Sequence, residues 1–213
     1  MTIKVDQVKH DSEQKVLAAG GQICDWLPHI EFTKLRTNEE VLNRALILNA
    51  MLNIAFKAPI DIIKDWIERH ELSPFLSASE KAVLNKQASD LTAQELANLY
   101  WYIEALWSCL WSTQIIEKMS FTEPISDSMA SLCPNLQRNE GPAKFAERMK
   151  LRSYEEIYKE RDLYYRVMWC CRQFKLSGKE HPNFNMDFVM ERRRSLEWIM
   201  DSDVDWDNYP QDT

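Results

Sequence analysis

Residues 101–112 read WYIEALWSCLWS, in which three tryptophans and a tyrosine surround one carboxylate, Glu104. A helix through this stretch has large apolar side chains on one face, at spacings of three and four: Leu96, Tyr100, Ile103, Trp107 and Leu110. The opposite face carries Trp101 and mostly small residues, which allow close approach of a second helix: Ala105, Ser108, Cys109 and Ser112. A helix with both features packs on two sides. The sequence therefore predicts a central helix over about 93–118.

Local start signals predict helices through most of the rest of the chain. Four capping boxes of the form S/T-x-x-E each precede an apolar-periodic segment: Thr37–Glu40, Ser77–Glu80, Thr92–Glu95 and Ser153–Glu156. The predicted helices lie at about 12–19, 38–57, 60–70, 78–88, 93–118, 154–176 and 185–200. Residues 119–142 carry three prolines and form a long connection. No segment has the alternation of a strand, so residues 1–213 are expected to form one compact all-α domain of about seven to eight helices.

Composition narrows the class of protein. The chain of 213 residues has only four glycines, which argues against a β-sandwich or barrel. Its net charge of −7 disfavours nucleic acid or an anionic membrane as a partner. The basic run 192–194 is flanked by Glu191 and Glu197, which is typical of a paired helix face rather than a phosphate site.

The sequence also indicates the cellular compartment and whether a cofactor is expected. The N-terminal residues lack a signal-peptide core, and the apolar run 45–56 is too short to span a bilayer. An odd number of cysteines, five, without metal-ligand spacing indicates reduced thiols and a cytoplasmic location. The four histidines are scattered, and the chain has no phosphate-binding or nucleophile-elbow motif. We therefore expect no metal and no cofactor.

Glu104 requires a partner, because an unpaired carboxylate among aromatic rings is desolvated and tends to protonate. Three arginines have comparable apolar surroundings and are the expected partners: Arg166, Arg194 and Arg44. Arg166 also follows Asp162 by one helical turn, and Arg194 lies one turn after Glu191 and one turn before Trp198.

Two interpretations of these polar residues stay open. The candidate set is Arg44, Glu104, Asp162, Arg166, Glu191, Arg194 and Trp198. In the first interpretation, arginine–carboxylate pairs tie several helices together in a tryptophan-rich core. In the second, Glu104, Asp162, Arg166 and Arg194 line a polar pocket in which an acid acts as a catalytic or binding group. The sequence favours the first, because no nucleophile or metal motif accompanies the acids.

The acidic C-terminal tail, residues 201–213, resembles a calcium loop only in part. Aspartates alternate at 201, 203, 205 and 207, but the sixth position of such a loop requires glycine and is Trp206 here. The twelfth position is Asp212 rather than glutamate. The tail is therefore expected to fold back on the domain through Trp206 and Tyr209 rather than to bind calcium.

Five segments together resemble the DUF4272 family, a bacterial family of uncharacterised function. They are LRTNEEVLNRALILNA at 35–50, WYIEALWSCLW at 101–111, RDLYYRVMW at 161–169, ERRRSLEWI at 191–199 and the closing WDNYPQDT. The positions that match the family pattern are Leu35, Arg36, Glu40, Arg44, Ala45, Glu104, Ala105, Leu106, Trp111, Asp162, Leu163, Tyr165, Arg166, Trp169, Glu191, Arg192, Leu196, Trp198, Trp206, Asp212 and Thr213. Residues 1–30 are less similar to the family, and Ser108 and Cys109 depart from its aliphatic pattern.

The resemblance implies a single all-helical domain and brings no catalytic residue. The functional prediction is a cytoplasmic bacterial protein without catalysis that acts as an interaction or accessory protein, with another protein as its partner. The alternative is an enzyme or small-molecule binder that uses the pocket of Glu104, Asp162, Arg166 and Arg194.

Overall fold

A computed structural model describes residues 3–126 and 128–209 and confirms the all-α single domain; these ranges contain no strand. The eight α-helices are α1 (Val5–Ala18), α2 (Asn38–Ala55), α3 (Ile60–Arg69), α4 (Ala78–Leu84), α5 (Ala93–Ser112), α6 (Ala143–Arg148), α7 (Tyr154–Leu176) and α8 (Met186–Met200). Short 3-10 turns lie at Ser73–Phe75, Ala88–Asp90, Met129–Leu132 and Leu136–Arg138. Within the described ranges, none of the helices has both the length and the apolar character that crossing a membrane requires.

The four predicted capping boxes are all formed. In each, the hydroxyl of the Ser or Thr accepts a hydrogen bond from the backbone N–H three residues later, and the glutamate there accepts one from the N–H of the capping residue. Because both groups satisfy amides that the first helical turn leaves free, each box fixes a helix start to the residue. The helices α2, α4, α5 and α7 begin immediately after them.

Helix α5 is central, packing mainly against α2 and α8. Its small residues let α8 approach closely, as predicted. The Ser108 hydroxyl donates to the Arg192 carbonyl over 3.1 Å, and the Ser195 hydroxyl of α8 donates to the Ala105 carbonyl over 2.9 Å. Hydroxyl-to-backbone bonds of this kind need the two helix backbones to be near each other, so they set the position of α8 along α5.

The predicted apolar face of α5 is buried only along its second half. Trp107 and Leu110 are buried, Leu96 and Ile103 are half-buried, and Tyr100 is 48% exposed. The apolar stripe is therefore only partly in the core over the first half of the helix. The apolar pattern continues into a part of the helix that solvent reaches.

Helix boundaries differ from the prediction where long-range contacts decide them. Helix α5 ends at Ser112 rather than near 118, because Gln114 adopts a positive φ of 59° and the Ser112 and Thr113 carbonyls accept hydrogen bonds from Arg152 and Lys150. Helix α1 begins at Val5 rather than 12, and its buried stripe includes a polar residue, Ser12, that conceals the pattern. Helix α4 ends at Leu84 rather than near 88, and the short α6 was not predicted.

Residues 33–36 close the C-terminal end of α8. The Thr33 hydroxyl donates to the Met200 carbonyl, the Arg36 N–H to the Ile199 carbonyl and the Arg36 Nε to the Trp198 carbonyl, over 2.7, 2.9 and 2.8 Å. These carbonyls would otherwise be unpaired at the helix end. The chain then continues into residues 201–209, where Trp206 is buried.

The capping box of α5 gives a direct test of how much local start signals stabilise the central helix. We expect Thr92→Ala to lower the free energy of unfolding by about 1 kcal/mol, because the Glu95 N–H loses its acceptor. Urea denaturation measures the change. The exposed hydroxyl of Ser89 is a matched control, and Ser89→Ala should cost less than about 0.5 kcal/mol. Equal losses for the two variants would contradict a stabilising role for the box.

Candidate functional site

The partner of Glu104 is Arg192 of α8. The Arg192 Nε lies 2.7 Å from a Glu104 carboxylate oxygen, and Arg192 is fully buried. Burial raises the pKa of Glu104, while the Arg192 guanidinium opposes that rise. The central helix and the last long helix are thus joined by an ion pair inside the core.

Arg192 also holds the connection that follows α5. Its guanidinium donates to the backbone carbonyls of Ser120 and Glu123, the second over 3.1 Å, and lies 4.7 Å from the centre of the Phe188 ring. One buried side chain therefore orients α5, α8 and residues 120–123 together.

The sequence expectation that Glu104 pairs with Arg166, Arg194 or Arg44 is wrong. Arg166 makes a two-bond pair with Asp162 on its own helix, at 2.9 and 2.8 Å, and Arg194 pairs with Glu191 at 3.3 Å. The acid–base spacings within α7 and α8 correctly indicated these two local pairs.

Arg44 pairs with Glu80, which also belongs to the capping box of α4. The Arg44–Glu80 distance is 2.6 Å, and the other oxygen of Glu80 accepts from the Ser77 N–H. Arg44 further donates to the Phe75 carbonyl over 2.7 Å. The pair fixes the start of α4 against the middle of α2, and both side chains are buried.

A further buried pair was missed by the sequence analysis. Glu197 accepts from Arg161 of α7 at 2.6 Å and from Arg193 of α8 at 3.2 Å. The Arg193–Glu197 spacing of four is a helical pair that the sequence could have indicated. The Arg161 contact joins α7 to α8, and no spacing pattern within one helix indicates it.

Tryptophan rings contact several of these guanidinium groups. Arg36 lies 4.0 Å from the centre of the Trp198 ring, while Arg44 and Arg194 lie 4.6 and 4.5 Å from the Trp206 ring. The Nε atoms of Arg44 and Arg194 are buried and have no hydrogen-bond partner among residues 3–126 and 128–209. The indole face of Trp206 compensates for this, since it attracts cations.

The candidate acids are buried and held in ion pairs. Five cavities of the described ranges have linings that include none of Glu104, Asp162, Arg166 and Arg194. Arg44 and Trp198 line one of about 420 Å³ next to residues 202–206. A carboxylate held between guanidinium N–H groups has its lone pairs occupied, so the arrangement stabilises the fold rather than presenting an acid or base.

The acidic residues 201–207 make hydrogen bonds within the protein. Asp201 accepts from the Asp203 N–H, Asp205 from the Asp207 N–H, and Asp207 from the N–H and hydroxyl of Ser79 at the start of α4. In the described residues, no group of three or more His, Cys, Asp or Glu side chains could hold a metal. Asp212, Thr213 and the rest of 210–213 lie outside the described residues.

The cysteines are buried and separate. All five are free thiols, and burial raises the pKa of Cys109 to about 11 and of Cys133 to about 12. Thiols with raised pKa values are poor nucleophiles at neutral pH. They fill core positions.

An aromatic surface lies where α5 leaves the core. Phe56 is 61% exposed, and its ring lies 6.0 Å from that of Tyr100, which in turn lies 6.1 Å from that of Trp101. Phe56 directly follows α2, and the two other residues lie in the first half of α5. We call Phe56, Tyr100 and Trp101 the aromatic surface.

A carboxylate on α7 lacks the pairing of its neighbours. Glu160 is half-buried and makes no hydrogen bond or ion pair with any described residue. Burial raises the pKa of this carboxyl to about 7, against the smaller opposing effects of Lys15 and Arg152. A carboxyl with this pKa changes charge near neutral pH.

The Glu104–Arg192 pair should contribute measurably to stability. We expect Glu104→Gln to lower the free energy of unfolding by roughly 2–3 kcal/mol, because it leaves the Arg192 charge buried without a counter-charge. Thermal and urea unfolding measure the loss. The exposed Glu147→Gln is the control and should change little. An unchanged melting temperature for Glu104→Gln would rule out a stabilising pair.

Glu160 should make stability depend on pH. A carboxyl whose pKa is raised from 4.5 to about 7 by folding binds its proton more tightly in the folded state, so the contribution of Glu160 to stability is largest below pH 4.5 and declines up to about pH 7. We expect Glu160→Gln to raise the melting temperature at pH 8 and to have little effect at pH 4.5. Scanning calorimetry of both proteins at the two values measures this, with Glu147→Gln as control. A gain of equal size at both pH values would exclude ionisation as the cause.

Comparison with known proteins identifies a family. No curated protein and no solved structure is significantly similar to the chain. A family model, DUF4272, described as a domain of unknown function, matches residues 9–209. The match begins upstream of residue 30, where the sequence resemblance had begun, and it includes α5, α7, α8 and the residues of the Glu104–Arg192 pair. The chain therefore belongs to the DUF4272 family.

Proposed function

We propose that the protein is a non-catalytic interaction protein that binds a partner protein through the aromatic surface. The observation that carries the proposal is the exposure of Phe56 and Tyr100, at 61% and 48%, while their rings contact each other. Large aromatic side chains in contact on a surface are enriched at protein interfaces and contribute most of the binding energy there.

The rigidity of this surface supports binding. Tyr100 and Trp101 lie on the central helix, which α2 and α8 hold from two sides, and Phe56 lies at the end of α2. Little conformational entropy is lost when rigid aromatic residues bind, so the contact area contributes efficiently to affinity.

The charge of the chain favours a basic partner. The protein carries a net charge of −7, and complementary charge speeds association and selects among partners. The partner chemistry is therefore an apolar pocket or helix face within a surface of net positive charge. Its association should slow as salt concentration rises.

The pairing of the buried charges supports binding rather than catalysis. Glu104 and Asp162 are each held by an arginine, and Glu197 is held by two. These acids would have to lose buried partners to act on a substrate, at a cost of several kcal/mol each.

The five free, buried cysteines support a cytoplasmic location within this proposal, because reduced thiols persist in a reducing compartment.

The experiment compares three proteins as bait in lysate from the source organism: the wild-type chain, Phe56→Ser/Tyr100→Ser, and Trp26→Ser. Trp26 is 79% exposed and lies before α2, so it controls for loss of an exposed aromatic residue elsewhere. A captured protein is then purified, and its affinity for each bait is measured by calorimetry.

We expect the double variant to bind at least about 30-fold more weakly than wild type, which corresponds to about 2 kcal/mol for hot-spot residues. Trp26→Ser should bind as wild type does. Equal affinity for all three baits, or no captured partner at any salt concentration, would overturn the proposal. Sedimentation velocity of the wild-type chain alone excludes or identifies a second copy as the occupant.

A further inference from the structure

A second feature, independent of the aromatic surface, is a cavity between α2, the end of α3 and α6. It has a volume of about 420 Å³, within the range of about 300–1,000 Å³ typical of small-molecule sites. Its apolar lining comes from Leu42 and Leu46 of α2, Leu72 after α3, and Ala143 and Ala146 of α6. We call it the α2–α6 cavity.

Two polar side chains face this apolar lining without partners. Asn43 is only 9% exposed, and its amide makes no hydrogen bond to any described residue. The Nε2 atom of His70 is buried and likewise has no hydrogen-bond partner. Buried polar groups are nearly always paired, so the unpaired Nε2 atom of His70 needs an explanation. This nitrogen and the Asn43 amide, which makes no hydrogen bond within the described residues, lie on one cavity wall, and a ligand explains the two together better than packing does.

The position of His70 is fixed by its neighbours. Its ring lies edge-on to Trp66 at 4.7 Å, and a Cβ added to Gly141 would come within 3.2 Å of its Cε1 atom. Glycine at 141 thus allows the chain before α6 to pass close to the imidazole. The ring is held at the cavity wall, where its Nε2 atom is buried.

The lining sets the chemistry of the ligand. None of the residues that line the cavity is Asp, Glu, Lys or Arg, so a charged ligand would lose its hydration without gaining a counter-charge. Burial, helped by the charge of Arg69, lowers the pKa of His70, which favours the neutral ring at pH 7. A neutral imidazole has one donor and one acceptor nitrogen, and the Asn43 amide can donate and accept.

We propose that the α2–α6 cavity binds a small uncharged organic molecule. Its apolar body packs against the leucines and alanines, and its carboxamide or hydroxyl group hydrogen-bonds to Asn43 and His70. The site does not depend on the aromatic surface.

The probe for the test is benzamide, an apolar ring that carries one carboxamide, and benzoate is its charged counterpart of the same shape. Binding is followed by the backbone amide shifts of the ¹⁵N-labelled full chain and by calorimetry. A ligand of this size should bind with a dissociation constant on the order of 1 mM. The shifts should concentrate at residues 42–46, 70–72 and 141–146, and benzoate should bind at least about tenfold more weakly.

Two variants separate the polar from the steric contribution. Asn43→Leu should weaken benzamide binding about fivefold, the equivalent of one hydrogen bond, while its melting temperature stays equal or rises because an unpaired amide is removed. A purely structural Asn43 would instead give a lower melting temperature with unchanged binding. Ala146→Phe should fill the cavity and abolish binding. The controls are Asn98→Leu and Ala82→Phe, both exposed on other helices.

The proposal fails if benzamide produces no localised shifts in the wild-type chain, if benzoate binds equally well, or if Asn43→Leu leaves the affinity unchanged. Should Ala146→Phe not fold, the shift map and Asn43→Leu still decide the outcome.

Discussion

The buried ion pair between Arg192 and Glu104 is the constraint on which the rest of the structure depends. A guanidinium with no exposed surface must be surrounded by acceptors, and Arg192 obtains them from the central helix and from the Ser120 and Glu123 carbonyls. These acceptors belong to different parts of the chain, so α8 can sit against α5 in one register. The small residues of α5 permit the close approach, and the charge pair selects its position.

Arginines also donate hydrogen bonds to carbonyls at helix ends that would otherwise bind water. Arg36 closes the end of α8, and Arg152 donates to the Trp111 carbonyl and to the Ile116 and Glu117 carbonyls beyond α5. A carbonyl at a helix end carries partial negative charge, which a guanidinium satisfies with several N–H groups at once. Indole rings cover the remaining guanidinium surface, as Trp111 does for Arg152 at 4.8 Å. The many tryptophans are therefore explained by their contacts with guanidinium groups as much as by the need to fill the core.

Most of the fold could be predicted because its signals are local. The capping boxes fix four helix starts, and the pairs Asp162–Arg166 and Glu191–Arg194 follow from helical spacing. The partner of Glu104 could not be predicted, because residues 192–194 are three successive arginines whose side chains point about 100° apart around α8. Which one faces α5 depends on helix rotation, a tertiary property. The exposure of Tyr100 was missed for the same reason, since periodicity identifies an apolar face but not what covers it.

The pairing of the buried charges bears on which residues are available for binding or catalysis. The acids and arginines that attract attention in the sequence are satisfied by one another, and even the free Nε atoms of Arg44 and Arg194 lie against the Trp206 ring. Their geometry is used to hold helices together. The groups whose local environment is unfavourable without a partner are different: Asn43 and His70 at an uncharged cavity, and two exposed rings, Phe56 after α2 and Tyr100 on the central helix. Folding alone gives no reason to keep those groups, because an apolar residue at 43 or a polar one at 100 would be more stable. The two binding sites that we propose would give that reason, and both lie outside the charge network.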